Sequence, residues 1–306
     1  MRTRKKYSGV VVPAVTPLTV DHKLDHAAVE KLFAHFRNNA GLPFILGTTG
    51  EASSLPFSLK KEFLELSGKL KQEGDVLYAG VSSNVFVESV ALARHAFDHG
   101  ADIVVATLPS YYALTESAMF RYFEELANAV DGPLMIYNIP STTHMSIPLE
   151  LIDRLSHHQN ISGLKDSERS EERLTESIQR WSGRTDFSYF LGWAARSARA
   201  ILEGADGLVP STGNFHPGLY TDLYAKAIQG EKKEAMKLQE LSDALGDLYQ
   251  KGRTLGESLS ALKFIMKESG LCGKAVMPPL YELSSRDEEA LREALNEILG
   301  KEEINF

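Results

Sequence analysis

Cysteine is almost absent from this sequence: Cys272 is the only one in 306 residues. A single thiol cannot form an intramolecular disulfide, which excludes a disulfide-stapled scaffold and favours a reducing, cytoplasmic setting. Positive charge is also scarce. Thirty-three Lys and Arg stand against 41 Asp and Glu, a net charge of −8, so nucleic acid is not an expected partner unless a local basic patch overrides the balance. The one basic cluster is Arg2, Arg4, Lys5 and Lys6. It has the charge of a signal-peptide start, but the segment behind it is broken by Pro13 and Pro17 and ends at Asp21. A solvated terminus is the reading retained. No apolar run approaches the ~18 residues that a membrane span needs, so no membrane is expected. Among nine histidines there is no H-x-H or H-E-x-x-H, and neither G-x-G-x-x-G nor a Walker-type loop occurs. The sequence thus gives no reason to expect a metal ion or any other cofactor.

What is present is patterned. The 43% apolar and 24% charged fractions are those of a globular protein. A chain this long buries roughly three-quarters of its unfolded surface. Eight short β-branched, apolar segments follow one another at residues 9–18, 43–49, 76–83, 102–109, 134–140, 161–167, 188–193 and 207–212. Several are unbroken hydrophobic runs, as in Asp102-Ile103-Val104-Val105-Ala106-Thr107, the mark of parallel strands covered on both faces. Between them the apolar positions repeat at helical spacing: Val29, Leu32, Phe33 and Phe36 share one side of a helix that begins near Asp25. Eight βα alternations predict an α/β fold, a closed (β/α)₈ TIM barrel, with a doubly wound open sheet as the competing arrangement. After Phe215 the strand signal stops. Stripes such as Leu238, Leu241, Leu245 and Leu248, and a Ser285/Glu288 capping box before Leu291, predict a helical C-terminal extension. The division expected is a barrel over residues 1–228 and a helical region packed on it over 229–306.

A barrel presents its chemistry at the C-terminal ends of its strands. Three segments stand there. Gly47-Thr48-Thr49-Gly50-Glu51, after the second strand, can turn consecutive N–H groups and two hydroxyls toward a carboxylate or phosphate; it also reads as an ordinary βα turn with Glu51 near a helix start. Lys165, in Gly163-Leu164-Lys165-Asp166-Ser167, ends the sixth strand. Pointed into the barrel mouth it would be desolvated and nucleophilic; by itself it is more simply a rim lysine paired with Asp166. Tyr137, in Tyr137-Asn138-Ile139-Pro140, ends the adjacent strand, under about 5 Å away. A phenol beside an imine can relay protons; a core tyrosine with a bonded hydroxyl is the plain alternative. Together the three supply an anion nest, an amine and a proton relay, the parts needed to act on a 2-oxo acid.

In this order and on a chain of this length, the three motifs resemble the dihydrodipicolinate synthase/N-acetylneuraminate lyase superfamily of class I pyruvate-dependent aldolases. The resemblance spans nearly the whole chain. It implies that Lys165 forms the Schiff base, that Tyr137 relays protons, and that Gly47, Thr48 and Thr49 hold the carboxylate of pyruvate or a pyruvate-like moiety. Val209 and Ser211 join the implied substrate contacts. Tyr111, in Leu108-Pro109-Ser110-Tyr111-Tyr112, is similar to the family's aromatic loop residue that reaches a neighbouring subunit's site, which implies a homotetramer built as a dimer of dimers.

The departures from the family narrow the substrate. Its dihydrodipicolinate synthases carry an arginine just after the tyrosine motif, where this chain has Ser141-Thr142-Thr143-His144, so a bidentate carboxylate clamp is missing. Arg169, Arg173 and Arg196 are the cations that could replace it. Its sialic acid lyases carry an acidic pair where this chain has Gly192-Trp193-Ala194-Ala195, which predicts a less polar pocket or a differently shaped sugar acid. Ser211, Thr212 and Asn214 remain as polar contacts, and His144 as a loop histidine near the mouth. Ser58 reads as a helix N-cap rather than a nucleophile. The expected function is a metal-independent lyase, an aldolase or dehydratase, for pyruvate or a 2-keto-3-deoxy sugar acid. The alternatives are condensation of pyruvate with aspartate semialdehyde, and a barrel that binds 2-oxo acids without turnover.

Overall fold

The structure, a computed structural model, describes residues 5–302. Eight parallel strands pair in chain order: β1 (Gly9–Pro13), β2 (Leu42–Ile45), β3 (Tyr78–Gly80), β4 (Ile103–Thr107), β5 (Leu134–Asn138), β6 (Ile161–Asp166), β7 (Ser188–Leu191) and β8 (Gly207–Leu208). β8 pairs back to β1, so the sheet is a closed barrel and not an open one. Each ladder is shorter than the apolar run that announced it. Val15, Leu46 and Val209 are buried just beyond strand ends, so hydrophobicity outlasts pairing and exaggerates strand length.

Among the described residues, twelve α-helices surround or follow the strands: α1 (His26–Asn38), α2 (Phe57–Leu70), α3 (Phe86–Asp98), α4 (Glu116–Ala129), α5 (Pro140–Thr143), α6 (Leu149–Leu155), α7 (Glu171–Trp181), α8 (Ser197–Glu203), α9 (Pro217–Ile228), α10 (Lys232–Gln250), α11 (Leu255–Glu268) and α12 (Ser285–Glu302). Asp25 caps α1, accepting from the Ala28 N–H. Two expected caps fall elsewhere. Pro56, not Ser58, precedes α2, and the Ser284 hydroxyl, not Ser285, accepts from the Asp287 N–H at the start of α12. Among the described residues, no helix is long and apolar enough to cross a membrane.

Strand parity sorts side chains into two cores. Val10, Val12, Val104, Ala106, Ile136 and Leu164 face the helices, while Val11, Phe44, Tyr78, Val105, Met135, Tyr137 and Phe190 fill the barrel. Gly207 makes room for that filling: a Cβ there would sit 2.1 Å from the Phe190 ring. At the opposite end from the mouth, Lys5 corrects the reading of the N-terminal cluster. It is buried, its Nζ donating to the Trp181 and Phe187 carbonyls at 2.8 Å and pairing with Asp206 at 2.7 Å; Arg2 and Arg4 lie outside the described residues. α10 packs on α8 and α9, and α11 on α10 and α12. α11 is buried from Ser258 through Met266, so its polar groups must find partners inside the protein.

Candidate active site

Parity places Lys165 inside the barrel, two residues from inward Gly163 and next to outward Leu164. The β5–β6 register sets it level with Tyr137. Its Nζ lies 3.7 Å from the centre of the Tyr137 ring and 4.8 Å from that of Phe44. Both residues are buried, at 4% and 5% exposure. Burial pushes the Lys165 amine below the ordinary lysine range, and Tyr137 offsets only part of that. For Tyr137 burial acts upward, but the Lys165 charge, with hydrogen bonds from Ser167, Thr48 and Lys165, outweighs it and the phenol lies below its usual range.

Lys165 is not a rim lysine held by Asp166. The Asp166 carboxylate turns away to Arg173 at 2.6 Å and accepts from Asn138 Nδ2 at 2.9 Å. Asn138, fully buried, also donates to Glu168 and accepts from the Ile147 N–H. This network clamps β5 to β6 and fixes the level at which amine and phenol meet.

The Gly47–Glu51 turn closes one side. Gly50, Glu51 and Ala52 spend their N–H groups on Gly47 and Thr48 carbonyls within the turn. Among the described residues no protein acceptor meets the N–H groups of Thr48 and Thr49. Gly80 lets this turn cross β3, since a Cβ there would stand 1.9 Å from the Leu46 carbonyl oxygen. Glu51 does not start a helix. Its backbone is left-handed at φ 58°, and its buried carboxylate sits 2.5 Å from Lys263 Nζ of α11 and 2.7 Å from the Met277 N–H. Lys263 also donates to the Ala275 carbonyl.

A cavity of about 780 Å³ opens over Lys165, lined by Thr48, Thr49, Tyr137, Ser167, Val209 and Ser211 from the barrel. Residues of α10, of α11 and of the link between them complete it, among them Tyr249, Gln250, Lys251, Arg253 and Ser258. A second cavity of about 380 Å³, which includes Gly47, adjoins it through Thr48 and Tyr137.

A model of the Dihydrodipicolinate synthetase family matches residues 6–298. The chain belongs to this family. As a member it is a lyase of the dihydrodipicolinate synthase and N-acetylneuraminate lyase type. It is 34% identical over 297 residues to an uncharacterized DapA-like lyase of Thermococcus onnurineus, covering 95% of this chain and 99% of that one. It is 29% identical to a 4-hydroxy-tetrahydrodipicolinate synthase of Alkalilimnicola ehrlichii, over 94% of this chain and 98% of the relative. Among solved structures, dihydrodipicolinate synthase of Bacteroides thetaiotaomicron superposes with a TM-score of 0.91 at 30% identity, covering 96% of this chain and all of that one. YagE of Escherichia coli K12, a prophage protein solved with pyruvate, superposes at 0.90 with 25% identity, over 96% and 99% of the two chains.

Within this family member, the remaining expected residues divide. Ser211 bonds the Tyr249 hydroxyl at 2.7 Å and lines the cavity. Thr212 and Asn214 are buried in structural hydrogen bonds, to Tyr249 and to the Val15 N–H and Pro13 carbonyl, away from the cavity lining. Tyr111 is 78% exposed, edge-on to Tyr112, and lines neither cavity. His144 is an exposed left-handed cap of α5. Of the three arginines, Arg169 lines the cavity, Arg173 is held by Asp166, and Arg196 pairs with Glu171. Trp193 lies under the Arg196 guanidinium and outside the cavity lining, so the expected less polar pocket is not found: charged Glu168, Arg169, Asp247, Lys251 and Arg253 line it instead. Asn138, Glu51, Lys263 and Tyr249 were not singled out for these contacts. Only the position of Asn138 and Glu51 inside the motifs hinted at them.

Proposed function

We propose that the chain is a Schiff-base lyase for pyruvate or a 2-keto-3-deoxy sugar acid, with Lys165 as nucleophile and Tyr137 as proton relay. The observation that carries this reading is the buried Lys165 amine, its pKa lowered, 3.7 Å from the Tyr137 ring at the floor of an open cavity. Unprotonated Nζ adds to the C2 carbonyl of the 2-oxo acid, giving a carbinolamine. Tyr137 delivers a proton to the departing hydroxyl, water leaves, and the protonated imine draws electrons from the bond beyond C3. Gly47 shapes the turn, and Thr48 and Thr49 receive the substrate carboxylate through the amides left without protein acceptors. Val209 and Ser211 bound the substrate on the side of β8. No step calls on a metal or cofactor. The pyruvate in YagE supports the ligand class, being bound to a protein of the same fold at 25% identity. Incubation with pyruvate and borohydride, followed by peptide mass mapping, tests the reading. A reduced adduct on Lys165 is expected; an unmodified Lys165 peptide, with a control aldolase labelled alongside, refutes it.

A second reading, condensation of pyruvate with aspartate semialdehyde, is favoured by the synthases among the relatives and by two cavity cations. Glu168 is committed to Asn138, Ser146 and Arg173, and Asp247 to Lys251. Among the described residues Arg169 and Arg253 form no ion pair, so either can meet a second substrate carboxylate. A coupled assay separates the two readings by which aldehyde turns over. In this proposal residues 1–228 carry the reactive groups and 229–306 the helical cover. The working assembly is a cytoplasmic homotetramer in which exposed Tyr111 reaches the partner's site; light scattering of the eluted peak reports the subunit number.

A further inference from the structure

On the outer side of the barrel, α2 and α3 bring together Glu65, His95 and His99, each half-buried. The two histidines are four residues apart, one helical turn, and their rings lie tilted by 35° with centroids 4.1 Å apart. His99 Nδ1 lies 2.8 Å from the His95 carbonyl oxygen. A carbonyl only accepts, so Nδ1 carries a proton, which makes Nε2 the ligand atom this ring can offer a metal ion. His95 Nε2 is buried 3.1 Å from Glu65 Oε1 with no hydrogen bond. The ring nitrogen and the carboxylate oxygen thus face one another at a distance that a shared cation can bridge. Gly68 fixes the spacing of the two helices, because a Cβ there would lie 1.9 Å from the His99 carbonyl oxygen.

We propose that Glu65, His95 and His99 form a binding site for a divalent transition-metal ion of the zinc class, tying α2 to α3. One ligand atom from each residue lies within 4.8 Å of the other two. Around zinc, bonds of about 2.0–2.2 Å set ligand atoms roughly 3.3–3.5 Å apart, so rotation of the Glu65 and His99 side chains completes the set and water takes the fourth position. Two imidazoles and a carboxylate suit zinc, nickel or cobalt better than calcium or magnesium. Lys61, one turn before Glu65, opposes the ion, and the Glu65 carboxylate offsets it.

The full chain, stripped with chelator, is titrated with zinc by calorimetry and with cobalt(II) by visible absorption. One zinc per chain at micromolar affinity or tighter is expected, with tetrahedral cobalt bands and a higher melting temperature. Glu65→Gln and His99→Ala should each weaken zinc at least about tenfold, while turnover of the 2-oxo acid stays at the wild-type value. Millimolar binding by the wild type, or unchanged affinity in both variants, overturns the proposal.

Discussion

Replacing Lys263 with methionine removes the cation that holds the Gly47–Glu51 turn from outside the barrel. The Lys263 and Glu51 side chains are 1% and 0% exposed and 2.5 Å apart. Lys263→Met leaves the Glu51 carboxylate buried with the Met277 N–H as its remaining partner, and breaking a buried pair on one side costs about 3–5 kcal/mol. At roughly 2–4 °C per kcal/mol for a long chain, calorimetric melting should fall by roughly 6–20 °C. Glu51 is already in the left-handed region at φ 58°, a conformation that costs a non-glycine residue about 1–3 kcal/mol and persists only when the surroundings impose it. Without its tether the turn relaxes, and the Thr48 and Thr49 amides lose their aim. The KM for pyruvate should therefore rise by about tenfold or more, the equivalent of one well-placed hydrogen bond to a charged group, with kcat less affected. The double variant Glu51→Gln, Lys263→Met removes both charges and should recover most of the lost stability. A single variant that melts within about 1 kcal/mol of wild type, or a double variant no better than the single, would refute the tether.

Four further outcomes are expected. Tyr137→Phe should lower kcat by roughly 10²–10⁴ with melting unchanged; equal turnover would remove the phenol from the proton path. Lys165→Met should abolish turnover and raise stability at neutral pH by about 0.5–2 kcal/mol. Between the lowered folded pKa of Lys165 and the unfolded lysine value near 10.4, only the unfolded chain carries the extra proton, so wild-type stability rises with pH there and the advantage of methionine shrinks; melting curves across pH 7 to 10.5 check it. Lys5→Met should cost about 3–5 kcal/mol by leaving Asp206 without its cation, while leaving the KM of surviving enzyme unaltered. Arg253→Ala should leave pyruvate adduct formation intact but raise KM for a substrate with a distal carboxylate by roughly 10–150-fold, the 1.5–3 kcal/mol of a charged hydrogen bond.

The barrel and the meeting of Lys165 with Tyr137 at its C-terminal end were legible because both are written locally. A parallel strand buried on both faces must be a short apolar run, and Lys165 and Tyr137 stand one after the other at the ends of two such runs. Where strands stop was not legible, because residues such as Val15 and Leu46 are as buried as the ladders they follow. Contacts made across the chain were invisible for a different reason. Glu51 meets the Met277 amide across 226 positions of sequence, and no local pattern encodes that. Lys5 misled for the same reason, its partners being carbonyls beyond residue 180. Trp193 misled in the opposite direction: an aromatic after a strand end reads as a pocket wall, yet Arg196 folds over it and keeps it outside the cavity.

The cavity therefore has two authors in the sequence. The groups proposed to make and relay on an imine sit on β5 and β6, locked in register by Asn138 and the Asp166–Arg173 pair. Strands held by ladder hydrogen bonds on both sides fix such groups to a fraction of an ångström, which nucleophile and relay require. The cavity-lining groups proposed to face the rest of a substrate, Gln250, Lys251 and Arg253, lie where α10 gives way to α11. That link can change length and charge without disturbing the barrel ladders. Lys263 joins the two, because α11 carries the cation that holds the Gly47–Glu51 turn and, eight or more residues earlier, leads out of the segment that lines the far side of the cavity. A change of substrate in this chain is thus free to arise in the helical cover, provided that the Glu51–Lys263 contact survives it.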